Sequence, residues 1–240
     1  MADPLILALE TATTCASVAL TRGGRAGGQL LAEYSLMPGR SHSRHLLGMA
    51  EAIMQACAVD WGDLDAVAVS CGPGSFTGLR VGLAAAKGLA FATGKQLVPV
   101  PTLDALAAQM PPVDMPVCAL LDARKAQVYA ALYHPAGVDA AGLPERLGPY
   151  RACAAAALPA EFRKVTLCIG PGLAACDADF LRHPLVKALP AVCGQPRAAL
   201  VGCCAADMLQ RGLAPHDCAP LYLRASQAEL GLGERIGETA

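Results

Sequence analysis

Two β-rich runs in this chain end in the same tripeptide: residues 66–70 lead into Gly72-Pro73-Gly74, and residues 165–169 lead into Gly170-Pro171-Gly172. A second echo precedes each. Residues 5–9 are apolar and are followed by the polar turn Glu10-Thr11-Ala12-Thr13-Thr14 and a strand-like run at 17–21. Residues 117–122, the turn Ala123-Arg124-Lys125-Ala126 and residues 127–133 repeat that order. Glu10 and Asp122 close the first strand of the two hairpins. A strand-turn-strand unit copied with its following strand and Gly-Pro-Gly turn predicts two related sheet-and-helix lobes facing one another across a cleft.

Pro111, Pro112 and Pro116 mark the boundary, since prolines so close together permit neither a helix nor a central strand. The expected division is an N-terminal lobe over 1–110, a smaller C-terminal lobe over 111–225, and a glycine-dotted, mobile tail over 226–240. A further strand is expected near 29–35. Leu46, Met49, Ala50, Ile53, Met54 and Cys57 fall at helical spacing, with Ser41 or Ser43 as cap. A strand is expected at 96–100, with Thr102 capping a small helix after it. The stretch 134–158 reads as loop with one short helix, and a helix is expected over 198–210.

Ser75 is the predicted N-cap of a helix running to Thr93, and Gly78, Gly82 and Gly88 lie inside it. Each glycine costs about 1 kcal/mol against alanine in a helix interior. Gly78, Gly82 and Ala86 recur at i, i+4 and i+8, laying nearly bare backbone along one face. That strip either packs inside its own lobe or admits a partner helix.

The charge balance, 19 Lys and Arg against 20 Asp and Glu, leaves no electrostatic footprint of a stand-alone nucleic-acid binder. Apolar residues never reach the run of about 18 that suggests a membrane span. The opening MADPLILALE lacks a basic region and cleavage site, so no signal peptide and a cytoplasmic location are expected. The 11 cysteines show no CxxC or zinc spacing and read as reduced core thiols.

Several chemistries can be weighed on these residues. An acid ending the first strand of each lobe suits an ATP-dependent phosphotransferase, but neither hairpin turn contains the glycines whose amides wrap phosphates. The segment 72–78 offers amides at a helix start, yet no Lys-Ser or Lys-Thr follows, so it is not a Walker loop. His42 and His45 stand at i, i+3 without a third ligand nearby, which leaves a metal site or a metallopeptidase weakly supported. Ser75 has no base beside it and no Gly-x-Ser-x-Gly elbow. Arg80 suits an anion or a partner surface.

The blocks LILALETATTCASVAL, GPGSFTGLRVGLAAAKGLAFATG, PTLDALA, LLDARKAQVYAALY and PLYLR together resemble the TsaB (YeaZ) family, most specifically in GPGSFTGLR. The resemblance covers most of residues 5–133 and is sparse from there to Pro220. It implies an α/β, actin-like ATPase fold of two lobes. It further implies a non-catalytic relative of TsaD, working with TsaD and the small ATPase TsaE in making N6-threonylcarbamoyladenosine on tRNA. No cofactor or metal of its own is implied, tRNA is reached through the complex, and a homodimer forms when the partner is absent. In the family the first two helices build the heterodimer. Carried over, the interface residues are His42, His45, Leu46, Met49, Ile53, Ser75, Phe76, Gly78, Arg80, Gly82 and Ala86, and the glycine strip is expected to meet a partner helix. Glu10, Thr11, Thr13 and Asp122 would line a vestigial nucleotide cleft. The family usually has Asp where Glu10 stands.

Overall fold

A computed structural model describes residues 3–37, 42–111, 113–190, 193–215 and 217–224, with backbone alone at 42–44 and 135–136. Ser41, the Ser43 side chain and the tail 226–240 therefore lie outside the described residues. The chain forms β1 (Leu5–Glu10), β2 (Ala16–Arg22), β3 (Gln29–Leu36), α1 (His42–Ala56), β4 (Ala66–Gly72), α2 (Phe76–Thr93), β5 (Gln96–Pro101) and α3 (Thr102–Ala107). The second half adds β6 (Val117–Arg124), β7 (Gln127–Val138), β8 (Pro144–Arg146), β9 (Arg151–Ala154), β10 (Thr166–Ile169), α4 (Ala178–Arg182), β11 (Val186–Ala188) and α5 (Ala198–Gln210).

Two sheets result, ordered β3-β2-β1-β4-β5 and β11-β10-β6-β7-β8, with β9 also on β7. In the first, β1 pairs antiparallel with β2 and parallel with β4, Leu9 facing Val69. In the second, β6 pairs antiparallel with β7 and parallel with β10, Cys118 facing Cys168. The topology is thus written twice, as the repeated hairpins predict, and the fold is the two-lobed actin-like one. The copies diverge after the Gly-Pro-Gly turn: the 18-residue α2 in the first lobe, a 3-10 turn at Pro171–Ala175 and the five-residue α4 in the second. Gly72 and Gly170 hold the same left-handed backbone, φ 114° and 112°, which only glycine adopts cheaply.

Every residue of β1 is buried, because the strand is covered on both faces. Leu5, Leu7 and Leu9 enter a core with Leu46, Met49, Ile53 and Leu83 of α1 and α2. Ile6 and Ala8 enter the opposite core, built with Ala198, Val201, Cys204, Ala205 and Met208 of α5. So α5, from the second half of the sequence, is buried against the first sheet. Conversely, Leu103, Leu106 and Ala107 of α3 pack with Val117, Ala119, Leu121 and Tyr133 of the second sheet. A division at 111 therefore separates the strands of the two sheets but not their helices. Asp104 of α3 ties this junction, accepting from Tyr133 Oη at 2.7 Å and Tyr150 Oη at 2.6 Å.

Two local expectations change. Thr102 is inside α3 rather than its cap, and its hydroxyl accepts from Gly72 N at 3.2 Å. Residues 134–158 are strand-rich, since β7 runs on to Val138 and β8 and β9 both pair with it. The cap of α5 is also not local: Glu33 Oε1 accepts from Ala199 N and from Ser17 Oγ, each at 3.1 Å. All 11 cysteines are unpaired.

Candidate partner interface and the neighbouring cleft

The helix α2 has an inward face and an outward one. At its start Ser75 Oγ accepts from Gly78 N at 3.2 Å, and at its end Gly94 adopts φ 67° and donates back to Ala90 and Phe91. Gly78, Gly82, Leu83, Ala86 and Ala90 are buried. The glycines on this face receive the β1–β2 turn: Thr11 Oγ1 donates to Gly78 O at 2.8 Å, and Ser75 N donates to Ala12 O at 2.7 Å. A methyl group on Gly78 would lie 2.1 Å from Thr11 O, and one on Gly82 would lie 2.2 Å from Thr11 Oγ1. The expectation that the Gly78, Gly82, Ala86 strip meets a partner helix is therefore corrected. Its backbone is bare so that the chain's own turn can come close.

A similar correction applies on α1. Leu46, Met49 and Ile53 are at most 6 % exposed and point into the core under the first sheet. The helical period that identifies these residues is the period of a buried face. His45 stays exposed, and the side chain of His42 lies outside the described residues.

The outward surface of α1 and α2 is different. On α2 it is Thr77, Arg80, Ala84, Lys87, Gly88 and Phe91, with Phe91 91 % exposed and open space around the Cα of Gly88. On α1 it is His45, Leu47 at 54 % exposure, Gly48, also in open space, and Glu51. Residues 77, 84, 88 and 91 share one face at spacings of 7, 4 and 3, a pattern visible in the sequence but eclipsed there by the glycine strip. Small side chains with one projecting aromatic permit close approach of another helix.

At the start of α2 the arrangement is fixed from the far end of the chain. The Arg80 guanidinium lies 3.8 Å above the Phe76 ring, Tyr222 stands 5.1 Å from that ring, and Arg80 Nε donates to Tyr222 Oη at 3.3 Å. Leu221 N donates to Cys71 O at 2.7 Å, pinning this segment to the end of β4. Tyr222 is absent from the residues expected at the interface, because nothing local in the sequence links positions 76 and 222.

Of the residues expected to line a nucleotide cleft, Glu10 is fully buried, and its Oε1 accepts from Ala12 N within its own turn. Burial pushes its carboxyl up to about 7, offset in part by the Ser70 hydroxyl and the Ala12 amide. Even so, Oε2 of Glu10 and Oγ of Ser70 each lack a partner in hydrogen-bond geometry. Thr13 Oγ1 accepts from Cys15 N at 3.2 Å. Asp122 sits at the opposite hairpin, 42 % exposed at its side chain, with Oδ1 accepting from Arg124 N at 2.7 Å. Arg124, Lys125 and Ala126 all hold positive φ, a costly conformation for residues with a Cβ. Both acids thus serve their own turns, and two backbone groups at the start of α2, Ser75 N and Gly78 N, are already bonded within the chain. Among the described residues no three His, Cys, Asp or Glu side chains are grouped to hold a metal, and no helix is long and apolar enough to cross a membrane.

Residues 36–147 match the family described as TsaD, tRNA N6-adenosine threonylcarbamoyltransferase. An uncharacterized protein of Mycobacterium tuberculosis is 33% identical over 225 residues, 93% of each chain. The tRNA threonylcarbamoyladenosine biosynthesis protein TsaB of Escherichia coli is 38% identical over 130 residues, which is 53% of this chain and 54% of that one. YeaZ from Pseudomonas aeruginosa superposes with a TM-score of 0.74 at 26% identity, over 92% of this chain and 100% of its own. The superposition thus extends the likeness through the second sheet. The chain belongs to the TsaB (YeaZ) family.

Proposed function

We propose that this chain is a non-catalytic scaffold and activator subunit in tRNA threonylcarbamoyladenosine biosynthesis, pairing with a TsaD-like catalytic paralogue and helping it assemble with a small TsaE-like ATPase. Family membership supports the pathway. The single observation that carries the pairing is the outward face of α2, where Phe91 is 91 % exposed beside the unpacked Gly88. A phenylalanine left in water forgoes about 2 kcal/mol that burial against a partner would recover. Gly88 gives up roughly 1 kcal/mol of helix propensity with no packing in its own lobe in return.

The commitment of Glu10 and Asp122 to their own turns supports a subunit without catalytic work of its own. On this reading the chain is cytoplasmic, reaches tRNA through the complex, and forms homodimers through the same face when the paralogue is absent. Co-expression of the tagged chain with the paralogue, followed by affinity capture, tests it. Phe91→Asp is expected to lose the paralogue while thermal unfolding of the isolated variant stays unchanged, because the side chain touches solvent. Capture undiminished by that substitution would remove α2 from the interface.

A further inference from the structure

The second lobe contains a cavity of about 560 Å³, within the size range of small-molecule sites. It lies at the end of the sheet remote from the β6–β7 turn. Pro116, on its lining, immediately precedes β6, whereas Asp122 stands six residues further along, roughly 20 Å away at strand rise. The cavity arises where β7 changes partner. Arg146 of β8 pairs with Tyr133, Arg151 of β9 pairs with Ala130, and the link between them leaves the sheet. Leu147 N, bonded to Leu132 O at 2.7 Å, holds the start of that link in place.

The lining divides by chemistry. Leu132, Leu147, Pro149 and Pro116 give it an apolar wall, and Leu147 is 49 % exposed although it sits in a concavity. Arg151, Arg163 and Lys164 bring positive charge. Arg151 is already paired with Glu161, so those two cancel. Among the described residues neither Arg163 nor Lys164 forms an ion pair with a carboxylate, and both are exposed. Asp114, the remaining acid on the lining, offsets one of them. An unpaired cation pair tempered by one carboxylate favours a single negative charge over a polyanion. The uncovered Leu147 and Leu132 surface favours an apolar body attached to it.

We propose that this cavity binds a small amphiphilic anion, its apolar body against Leu132, Leu147 and Pro149 and its one negative head on Arg163 and Lys164. A fatty carboxylate has that chemistry, whereas a nucleoside monophosphate, with close to two negative charges and a polar body, does not. The site is separate from the helix face assigned to pairing.

The full chain is titrated with 1-anilinonaphthalene-8-sulfonate, a fluorescent amphiphilic anion. Saturable one-to-one binding is expected, with competition by dodecanoate and none by AMP or inorganic phosphate at the same concentration. The double substitution Arg163→Glu, Lys164→Glu and the single Leu147→Asp each change exposed side chains, so the fold is retained, and each is expected to weaken binding about tenfold or more. Phe91→Asp, which strips the other exposed apolar face, is expected to leave binding unchanged. Absence of saturation, charge-reversal binding equal to that of the parent, or loss of binding in Phe91→Asp alone would each overturn the proposal.

Discussion

The hydroxyl of Thr11 donates to the carbonyl of Gly78 at 2.8 Å, joining the β1–β2 turn to the first turn of α2 across 67 residues of sequence. The same hydroxyl oxygen is the atom that a side chain at Gly82 would strike, at 2.2 Å. Gly82→Ala is therefore expected to destabilise the chain by about 1–3 kcal/mol through overpacking, despite alanine's better helix propensity. Chemical denaturation checks this. Stability equal to or above that of the parent would mean that the turn moves aside freely.

Gly88, on the outward side of the same helix, gives the opposite sign. Nothing lies within 4 Å of a Cβ placed there, so Gly88→Ala is expected to stabilise the isolated chain by about 0.5–1 kcal/mol. Gly88→Leu is expected to leave the monomer folded and to impede the paralogue. Calorimetry and affinity capture on the two variants separate the effects, and a destabilised alanine variant would contradict the open face.

Glu10 makes stability depend on pH. Its folded value of about 7 lies above the ordinary 4.5, so its contribution is fully present below the unfolded value and is lost as pH rises through 7. Glu10→Gln can still accept from Ala12 N, can donate to Ser70 Oγ, and cannot ionise. Its stability relative to the parent is expected to improve from pH 5 to pH 8 by up to about 3 kcal/mol. Urea unfolding of both proteins at the two pH values measures the gap, and a gap that does not change with pH would show that Glu10 ionises without penalty.

Glu33 closes the start of α5 from another strand, accepting from Ala199 N and Ser17 Oγ and pairing with Arg197. Glu33→Ala strands those donors at a helix N-terminus and is expected to cost about 1–2 kcal/mol. For a chain of this size that lowers the melting temperature by roughly 2–8 °C. Arg197→Ala, which loses only the solvent-facing partner, should cost less than about 1 kcal/mol. The reverse ranking would mean that the ion pair, not the cap, holds the helix.

These contacts also explain how far the sequence alone leads. The strand, glycine turn and Ser75-capped helix at 66–93 are specified locally, by β-rich residues, a Gly-Pro-Gly break and a side chain three residues from its donor. The second-lobe echo is legible because the Gly170 backbone needs the same left-handed conformation as Gly72. The continuation of β7 past Tyr133 is hidden by Pro135 and Gly137, which read as breakers where a register shift accommodates them. The facing of the Gly78 strip is not legible at all: period fixes which residues share a side, and only the turn at Thr11, far away in sequence, decides which side is in. Of the residues expected at the interface, Leu46, Met49, Ile53, Gly78, Gly82 and Ala86 lie on buried sides, whereas His45, Ser75 and Arg80 are exposed. Phe91 and Leu47 escape notice because a lone exposed apolar residue looks no different in sequence from a core residue.

The exchange of helices between the halves makes the protein indivisible. α5 completes the core above β1, and α3 sends Leu103 and Leu106 beneath β6. A nick in the 111–115 link would leave two fragments that each hold what the other lacks, so they should stay associated and melt together. Shortening the chain to either lobe should give insoluble material. Any movement of one sheet against the other is accordingly limited by two helices that cannot leave without uncovering the sheets they pack on.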